Sequence, residues 1–257
     1  MCILMNILNK ICNIVRIAGD AVMKIYHGNL CLYIKHKYDC TPITIADYIS
    51  NNIIINKLSL YTPNIPFLSE ENLLSWDKRK SWRNYWLIDP MDGTKEFLNR
   101  NGEFTINVAL INEFGLPILG VIYAPAINIM YYAYENKAWK EDAYGHRERI
   151  NISNLYPPTV IISRSHYDNR IKDYLDILGK HNLILSGSSL KFCLIAEGLA
   201  QYYPRFNATS IWDIAAGHAI LLAAGAYLHD WNGNSINYIP KRSFINSGFL
   251  VSVKCNI

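Results

Sequence analysis

Apolar positions recur at helical spacing through "ILMNILNKICNIVRIAGDAVMKIY", residues 3–26, and Gly28 ends the run, so the pattern predicts a first long amphipathic helix. Pro42 sets a boundary in "TPITIADYISNNIIINKL", where Ala46, Ile49 and Ile53 begin a second helical face. "IPFLSEEN" predicts a short strand ending in acid, and "YWLID" another. "EFTINVALI" and "PILGVIYAPAINIMYYAYE" are rich in β-branched and aromatic residues and flank a turn at "NEFGLP", which predicts a hairpin or meander. The double proline of "NISNLYPPTV" marks a change of texture. Beyond it "VIISRS" and "GFLVSV" read as strands, and "YDNRIKDYLDIL", "SLKFCLIAEGLA" and "DIAAGHAILLAAG" as helices. Helices followed by strands, then alternation, predict an α/β chain of two domains with a cleft between them: an α+β N-terminal domain at 1–155 and an α/β C-terminal domain at 156–257.

Composition narrows the function classes. At 257 residues the chain can bury a substantial core without disulfides or structural metal, and 51% hydrophobic with 18% charged residues excludes wholesale disorder. A formal charge of +4 is compatible with an anionic substrate but too small for coating a nucleic-acid polymer or for a polybasic membrane anchor. The cysteines, Cys2, Cys12, Cys31, Cys40, Cys193 and Cys255, lack metal-binding spacing, which argues against zinc and disulfide frameworks and for a reducing cytoplasm. The start, "MCILMNILNKICNIV", lacks the basic region of a signal peptide, and no window reaches the roughly 18 apolar residues that a membrane span needs. The excess of Ile, Asn, Lys and Tyr is treated as background.

The candidate chemistry sits in "YWLIDPMDGTKEF", residues 85–97. A carboxylate at the end of so apolar a run costs several kcal/mol if unpaired, so Asp89 must be exposed, salt-bridged or bound to metal. Pro90 is expected to end the ladder and Gly93 to permit a tight backbone, letting Asp89 and Asp92 converge. Taken singly, "DPMDG" is equally an Asx-type turn, Asp213 a helix N-cap, and the pair Glu70 and Glu71 a solvated turn. Taken together, three acidic clusters at the edges of apolar elements share one explanation, hard oxygen ligands for Mg²⁺. Two ions roughly 3.5–4 Å apart would clamp the attacking and leaving oxygens of a phosphoryl transfer, which is phosphatase chemistry. The hydroxyl of Thr94 would orient water there, and the N–H groups of Gly93 and Thr94 would hold a phosphate; a simple helix cap is the plainer role for Thr94.

"FLSEE", "WLIDPMDGTKEF" and "WDIAAGHA" resemble the three acidic motifs of the lithium-sensitive, Mg²⁺-dependent inositol monophosphatase superfamily. "RNGEFTINVALI", "PILGVIYAPAINIMY", "ISRSHYD", "GSSLKFCLIAEGLAQYYPRF" and "HDWNG" resemble specifically its bacterial CysQ-type 3′(2′),5′-bisphosphate nucleotidases, and the likeness runs from "AGDAVM" to "GFLVSV". The resemblance implies the sugar-phosphatase fold, a layered α-β-α-β-α sandwich. It also implies removal of the 3′-phosphate from adenosine 3′,5′-bisphosphate (PAP), giving AMP and phosphate in support of sulfate assimilation. By position it implies Mg²⁺ ligation by Glu70, Asp89, the carbonyl of Met91, Asp92 and Asp213, and water activation by Asp47 of "TPITIAD" paired with Thr94. The substrate would be held by Glu70, Met91, Asp92, Gly93, Thr94 and Asp213, with Ser188, Ser189, Lys191 and Arg205 gripping the adenosine and 5′-phosphate and His166 stacking on the base. Serines at a helix start with two cations suit a second phosphate, which an inositol monophosphate lacks. His218 is expected to be a packing histidine, and peripheral attachment to the inner membrane is implied by bacterial relatives only. Two departures stand out: Ile43 where the family has valine, and "GNLCLYIKHKYDCTPIT", where His36 replaces a serine while Lys37 and Asp39 remain.

Three rivals are weighed against this reading. An inositol-1-phosphate or fructose-1,6-bisphosphate phosphatase would share the metal site, but "GSSLKF" and "YPRF" argue against it. The haloacid-dehalogenase motif DxDGT spaces its acids by one residue and uses the first as a covalent nucleophile, whereas two residues separate Asp89 from Asp92. A non-catalytic Mg²⁺ or nucleotide sensor would not need the full set of acids, Asp47 and Thr94.

Overall fold

The computed structural model describes residues 2–28, 34–36, 42–165 and 168–254. The chain opens with α1 (Cys2–Tyr26), the short paired strands β1 (Ile34–His36) and β2 (Pro42–Thr44), and α2 (Ile45–Tyr61). There follow β3 (Phe67–Ser69), α3 (Trp76–Arg79), β4 (Tyr85–Asp92), α4 (Thr94–Leu98) and the meander β5 (Thr105–Ile111), β6 (Pro117–Ala124), β7 (Ile129–Tyr134), β8 (Lys137–Glu141) and β9 (Arg147–Ile150). Next come β10 (Thr159–Ser163), α5 (Arg170–Leu178), β11 (Asn182–Ser186), α6 (Leu190–Ala196), β12 (Tyr202–Arg205) and β13 (Thr209–Ser210). The last elements are α7 (Ile211–Ala224), β14 (Tyr227–His229), β15 (Ile245–Asn246) and β16 (Phe249–Ser252).

Two large sheets organise the molecule. One has seven strands in the order β3-β4-β5-β6-β7-β8-β9, the other five in the order β11-β10-β12-β16-β14. Strand alternation sorts β4 and β5 between two cores. Trp86, Ile88, Ile106 and Val108 face α1 and α2, while Tyr85, Leu87, Ala109 and Ile111 face α7. α6 and α7 pack between the sheets, and α5 covers the far side of the five-stranded sheet through Ile171, Val160 and Ile162. The layers therefore run helix, sheet, helix, sheet, helix, the expected sandwich. Burial on both faces explains why β5 is apolar or small at almost every position rather than alternating with polar residues.

The apolar pattern predicts α1, α2, β3 to β7, β10, β16 and the helices α5 to α7, all present, but marks no strand at β8, β9, β11 or the two-residue β13 and β15. "KAWKE" and "RERI" are charged and short, so they carry no strand signature until β7 supplies hydrogen-bond partners to β8 and β8 in turn supplies them to β9. Among the described residues no helix is long and apolar enough to cross a membrane. Cys12 and Cys193 are buried free thiols, and burial pushes Cys12 up to about 12, so it is held as an inert thiol.

Candidate active site

β4 builds the centre of the site by breaking its own register. Asp89 stands opposite Asn107 and Asp92 opposite Thr105, so three steps along β4 match two along β5. Side chains three apart on a regular strand point to opposite faces; the extra residue restores both carboxylates to the α7 side. Pro90 therefore does not end the strand, as its lack of an N–H suggested, but occupies the bulge, and the ladder resumes at Asp92. The Ser50 hydroxyl donates to the Pro90 carbonyl at 2.7 Å, and the Met91 side chain is buried against α1 and α2. Gly93 follows with φ of 91°, and a Cβ there would sit 2.9 Å from the Glu103 carbonyl. Both the left-handed backbone and the close approach require glycine.

The other acids arrive from different elements. The Glu70 amide donates to the Ile88 carbonyl at 3.2 Å, which carries Glu70 past the end of β3 to the side of Asp89. Asp213 is the third residue of α7 rather than its N-cap. Ser210 is the cap, and its amide donates to Asp213 Oδ2 at 3.0 Å, with a further short bond from the Thr209 hydroxyl. Asp47 repeats this arrangement on α2: its Oδ2 accepts from the Thr44 amide at 2.7 Å and hydroxyl at 2.8 Å. Each capping box thus ties one carboxylate oxygen and leaves the other directed elsewhere. For Asp47 that oxygen faces the Thr94 hydroxyl at 3.4 Å.

Glu70, Asp89, Met91, Asp92, Gly93, Thr94, Ser188, Lys191, Arg205 and Asp213 all border one cavity of about 520 Å³. Asp47 and Ser189 stand just behind its wall. Ser189 accepts from Asn107 Nδ2 at 2.9 Å, and its hydroxyl has Asp92 Oδ2 at 2.7 Å and the Asp213 carbonyl at 2.9 Å to donate to. It braces β4 against the start of α7. Lys191 is buried, donates to the Ser188 carbonyl at 2.5 Å and lies over the Tyr203 ring, while Arg205 donates to the Tyr203 hydroxyl at 3.4 Å. Among the described residues Ser188 Oγ and Arg205 Nε are buried without partners at this wall. His166 lies outside the described residues, as do Lys37 and Asp39. His218 is buried with Nδ1 3.1 Å from the Tyr238 hydroxyl, a packing role away from the cavity.

Electrostatics shows what the cavity lacks. Burial first, then Glu70, Asp92, Asp213 and Asp47, raise Asp89 well above the usual carboxylate range. Asp213 is pushed up to about 7 by burial and by Asp92 and Glu70, and Asp47 up to about 7 chiefly by burial. Among the described residues, the four side chains that act most strongly on Asp89 are all acids. Such a set stays ionised at neutral pH only if positive charge enters it. Among the described residues no group of three or more acidic, histidine or cysteine side chains already stands in ligating geometry, though Glu70, Asp89, Asp92 and Asp213 border one space. Their all-oxygen chemistry, the buried Asp89 ringed by other acids and the second carboxylate oxygen of Asp213, which its capping box leaves untied, fit a hard divalent cation and not zinc.

Asn107, Ser165 and Glu96 lie within the strings that carry the resemblance, "RNGEFTINVALI", "ISRSHYD" and "WLIDPMDGTKEF", but the sequence reading assigns them no role; their contacts to Ser189 and to each other appear only in the folded chain. Apart from the resemblance, Asp47 reads as a surface helix residue, but it is buried; the signal that could have found it is the capping-box spacing of Thr44 and Asp47, shared by Ser210 and Asp213.

The fold and this acidic cavity are those of a sugar-phosphatase sandwich, and the inositol monophosphatase family model matches residues 4–253; the chain belongs to that family. It is 52% identical over 246 residues to the 3′(2′),5′-bisphosphate nucleotidase CysQ of Salmonella typhimurium, across 96% of this chain and 99% of that protein. The protein of the same name from Buchnera aphidicola subsp. Acyrthosiphon pisum is 50% identical over 247 residues, 95% of this chain and 93% of the relative. The crystal structure of CysQ from Bacteroides thetaiotaomicron, a bacterial member of the inositol monophosphatase family, superimposes with a TM-score of 0.83 at 33% identity, covering 97% of this chain and 98% of the other.

Proposed function

We propose that the chain is a Mg²⁺-dependent 3′(2′),5′-bisphosphate nucleotidase that hydrolyses the 3′-phosphate of PAP to AMP and phosphate in the cytoplasm, in support of sulfate assimilation. The observation that carries it is the pairing, in one cavity, of the acid group Glu70, Asp89, Asp92 and Asp213 with cations of the C-terminal half, Lys191 and Arg205. Acid alone suits any member of the family; the cations give a second phosphate a partner. In this reading residues 1–155 and 156–257 act as two domains, the first holding most acids and the second the nucleotide residues and Asp213.

Glu70, Asp89, the Met91 carbonyl, Asp92 and Asp213 would hold Mg²⁺, which when bound neutralises phosphate charge and makes water more acidic. Asp47 accepts the hydrogen bond of Thr94 and so fixes the direction of its hydroxyl, which orients the attacking water. A carboxylate pushed up to about 7 is matched to taking a proton near neutral pH. Gly93 and Thr94 present backbone to the transferred phosphate, Ser188 offers its unpartnered hydroxyl, and Lys191 and Arg205 bind the 5′-phosphate. Base stacking by His166 completes the substrate set.

Two substitutions separate these roles. Arg205→Ala should raise KM for PAP about tenfold or more with a smaller change in kcat, since a charge-assisted contact to the non-reacting phosphate is lost. Ser189→Ala should instead lower kcat about tenfold and raise the Mg²⁺ concentration needed for half-maximal rate, because the brace on Asp92 is removed. Steady-state kinetics across Mg²⁺ concentrations checks both, and equal effects on KM and kcat in the two variants would refute the division.

The experiment that tests the function is phosphate release from PAP beside inositol 1-phosphate and fructose 1,6-bisphosphate, with and without Mg²⁺ and Li⁺. Strong, metal-requiring preference for PAP is expected. Preference for a sugar phosphate would overturn the nucleotide assignments, and trapping of an aspartyl-phosphate would overturn direct attack by water. The relatives' names give no support to peripheral attachment to the inner membrane.

A further inference from the structure

One carboxylate bordering the cavity has no part in the scheme above. Glu96, on α4 two positions after Thr94, is 3% exposed yet faces the cavity. Among the described residues its carboxylate accepts one hydrogen bond, from the Ser165 hydroxyl to Oε1 at 2.5 Å. The next acid, Glu103, is fully engaged: Arg164 binds it through Nε and Nη2 at 2.7 Å each, and the Gly187 amide donates to it at 2.7 Å. Glu96 lies within reach of the Arg164 charge but makes no hydrogen bond to it. The chain nevertheless packs closely on it. A Cβ on Gly187 would lie 2.6 Å from Glu96 Cγ, so the turn after β11 holds the side chain in place only because residue 187 is glycine. A buried carboxylate held this firmly, with Oε2 left over, is an acceptor waiting for a donor.

The donor's chemistry follows from the surroundings. A second phosphate would be repelled by Glu96 and finds its partners at Lys191 and Arg205. What remains is a neutral O–H or N–H of the substrate. Because Asp92, Gly93 and Thr94 immediately precede Glu96 in the chain and take the reacting phosphate in the proposed function, the nearest donor is the hydroxyl on the neighbouring ribose carbon. The exocyclic amine lies at the far end of the base. Resting on the nucleotidase reading, we propose that Glu96, oriented by Ser165, accepts a hydrogen bond from the hydroxyl vicinal to the phosphorylated oxygen, and so selects phosphate monoesters of vicinal diols. A 3′-phosphate leaves the 2′-hydroxyl in that position and a 2′-phosphate leaves the 3′-hydroxyl, so one acceptor serves both isomers.

The test compares kcat/KM for PAP and 2′-deoxyadenosine 3′,5′-bisphosphate in the wild type, Glu96→Ala and Glu96→Gln, with inosine 3′,5′-bisphosphate as a third substrate. The wild type should prefer the ribose substrate about tenfold, as expected for a hydrogen bond to a charged acceptor. Glu96→Ala should lose that factor on PAP, change little on the deoxy substrate, and so bring the preference close to one. Glu96→Gln keeps the size and the Ser165 contact; it should show a smaller collapse and serves if the alanine variant does not fold. A preference that survives in the variants overturns the proposal, as does an equal loss on both substrates, which is what a purely structural role would give. Collapse of the adenosine-over-inosine preference in place of the ribose preference would assign Glu96 to the exocyclic amine and overturn it as well. A wild-type chain that releases phosphate from no nucleotide refutes the nucleotidase reading itself, whereas an active wild type without the Glu96 effect refutes only this assignment.

Discussion

Asp89→Asn is expected to lower the rate of phosphate release by about a thousandfold or more while raising the melting temperature of the metal-free protein. The two effects share one cause. Asp89 is 1% exposed at the end of an apolar strand, and burial together with Glu70, Asp92, Asp213 and Asp47 opposes its charge. That uncompensated charge is what would draw a divalent cation into the cavity, and loss of a central ligand removes several kcal/mol of charge stabilisation from the reaction, roughly a factor of ten for each 1.4 kcal/mol. Without metal the same charge is a burden on the fold. Asparagine keeps the oxygen that accepts the Met91 amide at 3.1 Å and drops the charge, so relief of about 1–2 kcal/mol should appear as a shift of a few degrees. Phosphate-release rates and thermal melts without metal check the pair of effects. Near-normal turnover would contradict the ligand assignment, and a lower melting temperature would contradict the account of the charge.

Metal-free protein should become more stable as pH falls from about 7 towards 4, the reverse of ordinary acid denaturation. Asp47 and Asp213 are moved from 3.8 to about 7, so between those limits the folded chain keeps protons that the unfolded chain has released, and stability rises as protons are added. At about 1.4 kcal/mol per pH unit and group the sum is several kcal/mol, and Asp89 adds in the same direction. His218 acts the other way. Burial lowers it from 6.5 to about 4, so its contribution is present above about 6.5 and is lost as pH falls through 4. One histidine against three acids leaves the net sign with the acids. Saturating Mg²⁺ should flatten or reverse the slope, because its ligands must be deprotonated, and should add about 2.7 kcal/mol at a hundredfold excess over Kd. Thermal melts at pH 5, 6, 7 and 8, each with Mg²⁺ and with chelator, measure this directly. A metal-free chain that is most stable at pH 8 would refute the raised carboxylates.

Much of this molecule is legible in its sequence where the physics is local. Helical spacing specifies α1, β-branched and aromatic runs specify β5, β6 and β7, and the motif around Asp89 marks the place of the chemistry. Even Asp47 and Asp213 could be read as paired helix starts, since a capping box involves only residues three apart. Strands without such a signature, such as β9 with its "RERI", exist because a neighbour offers hydrogen bonds, and no window of sequence contains that neighbour.

The sequence by itself determined which acids are present, that they end apolar elements, and which family they resemble. Tertiary structure alone decided that Asp89 and Asp92 share a face, because the bulge is defined against Thr105 and Asn107 of another strand. It decided too that Ser189 braces Asp92 instead of lining the cavity, and that Glu96 is held with one oxygen to spare while Glu103 is consumed by Arg164. The physical reason is the same in each case: a residue type fixes which bonds it can make, and only the packed chain fixes which of them are already taken.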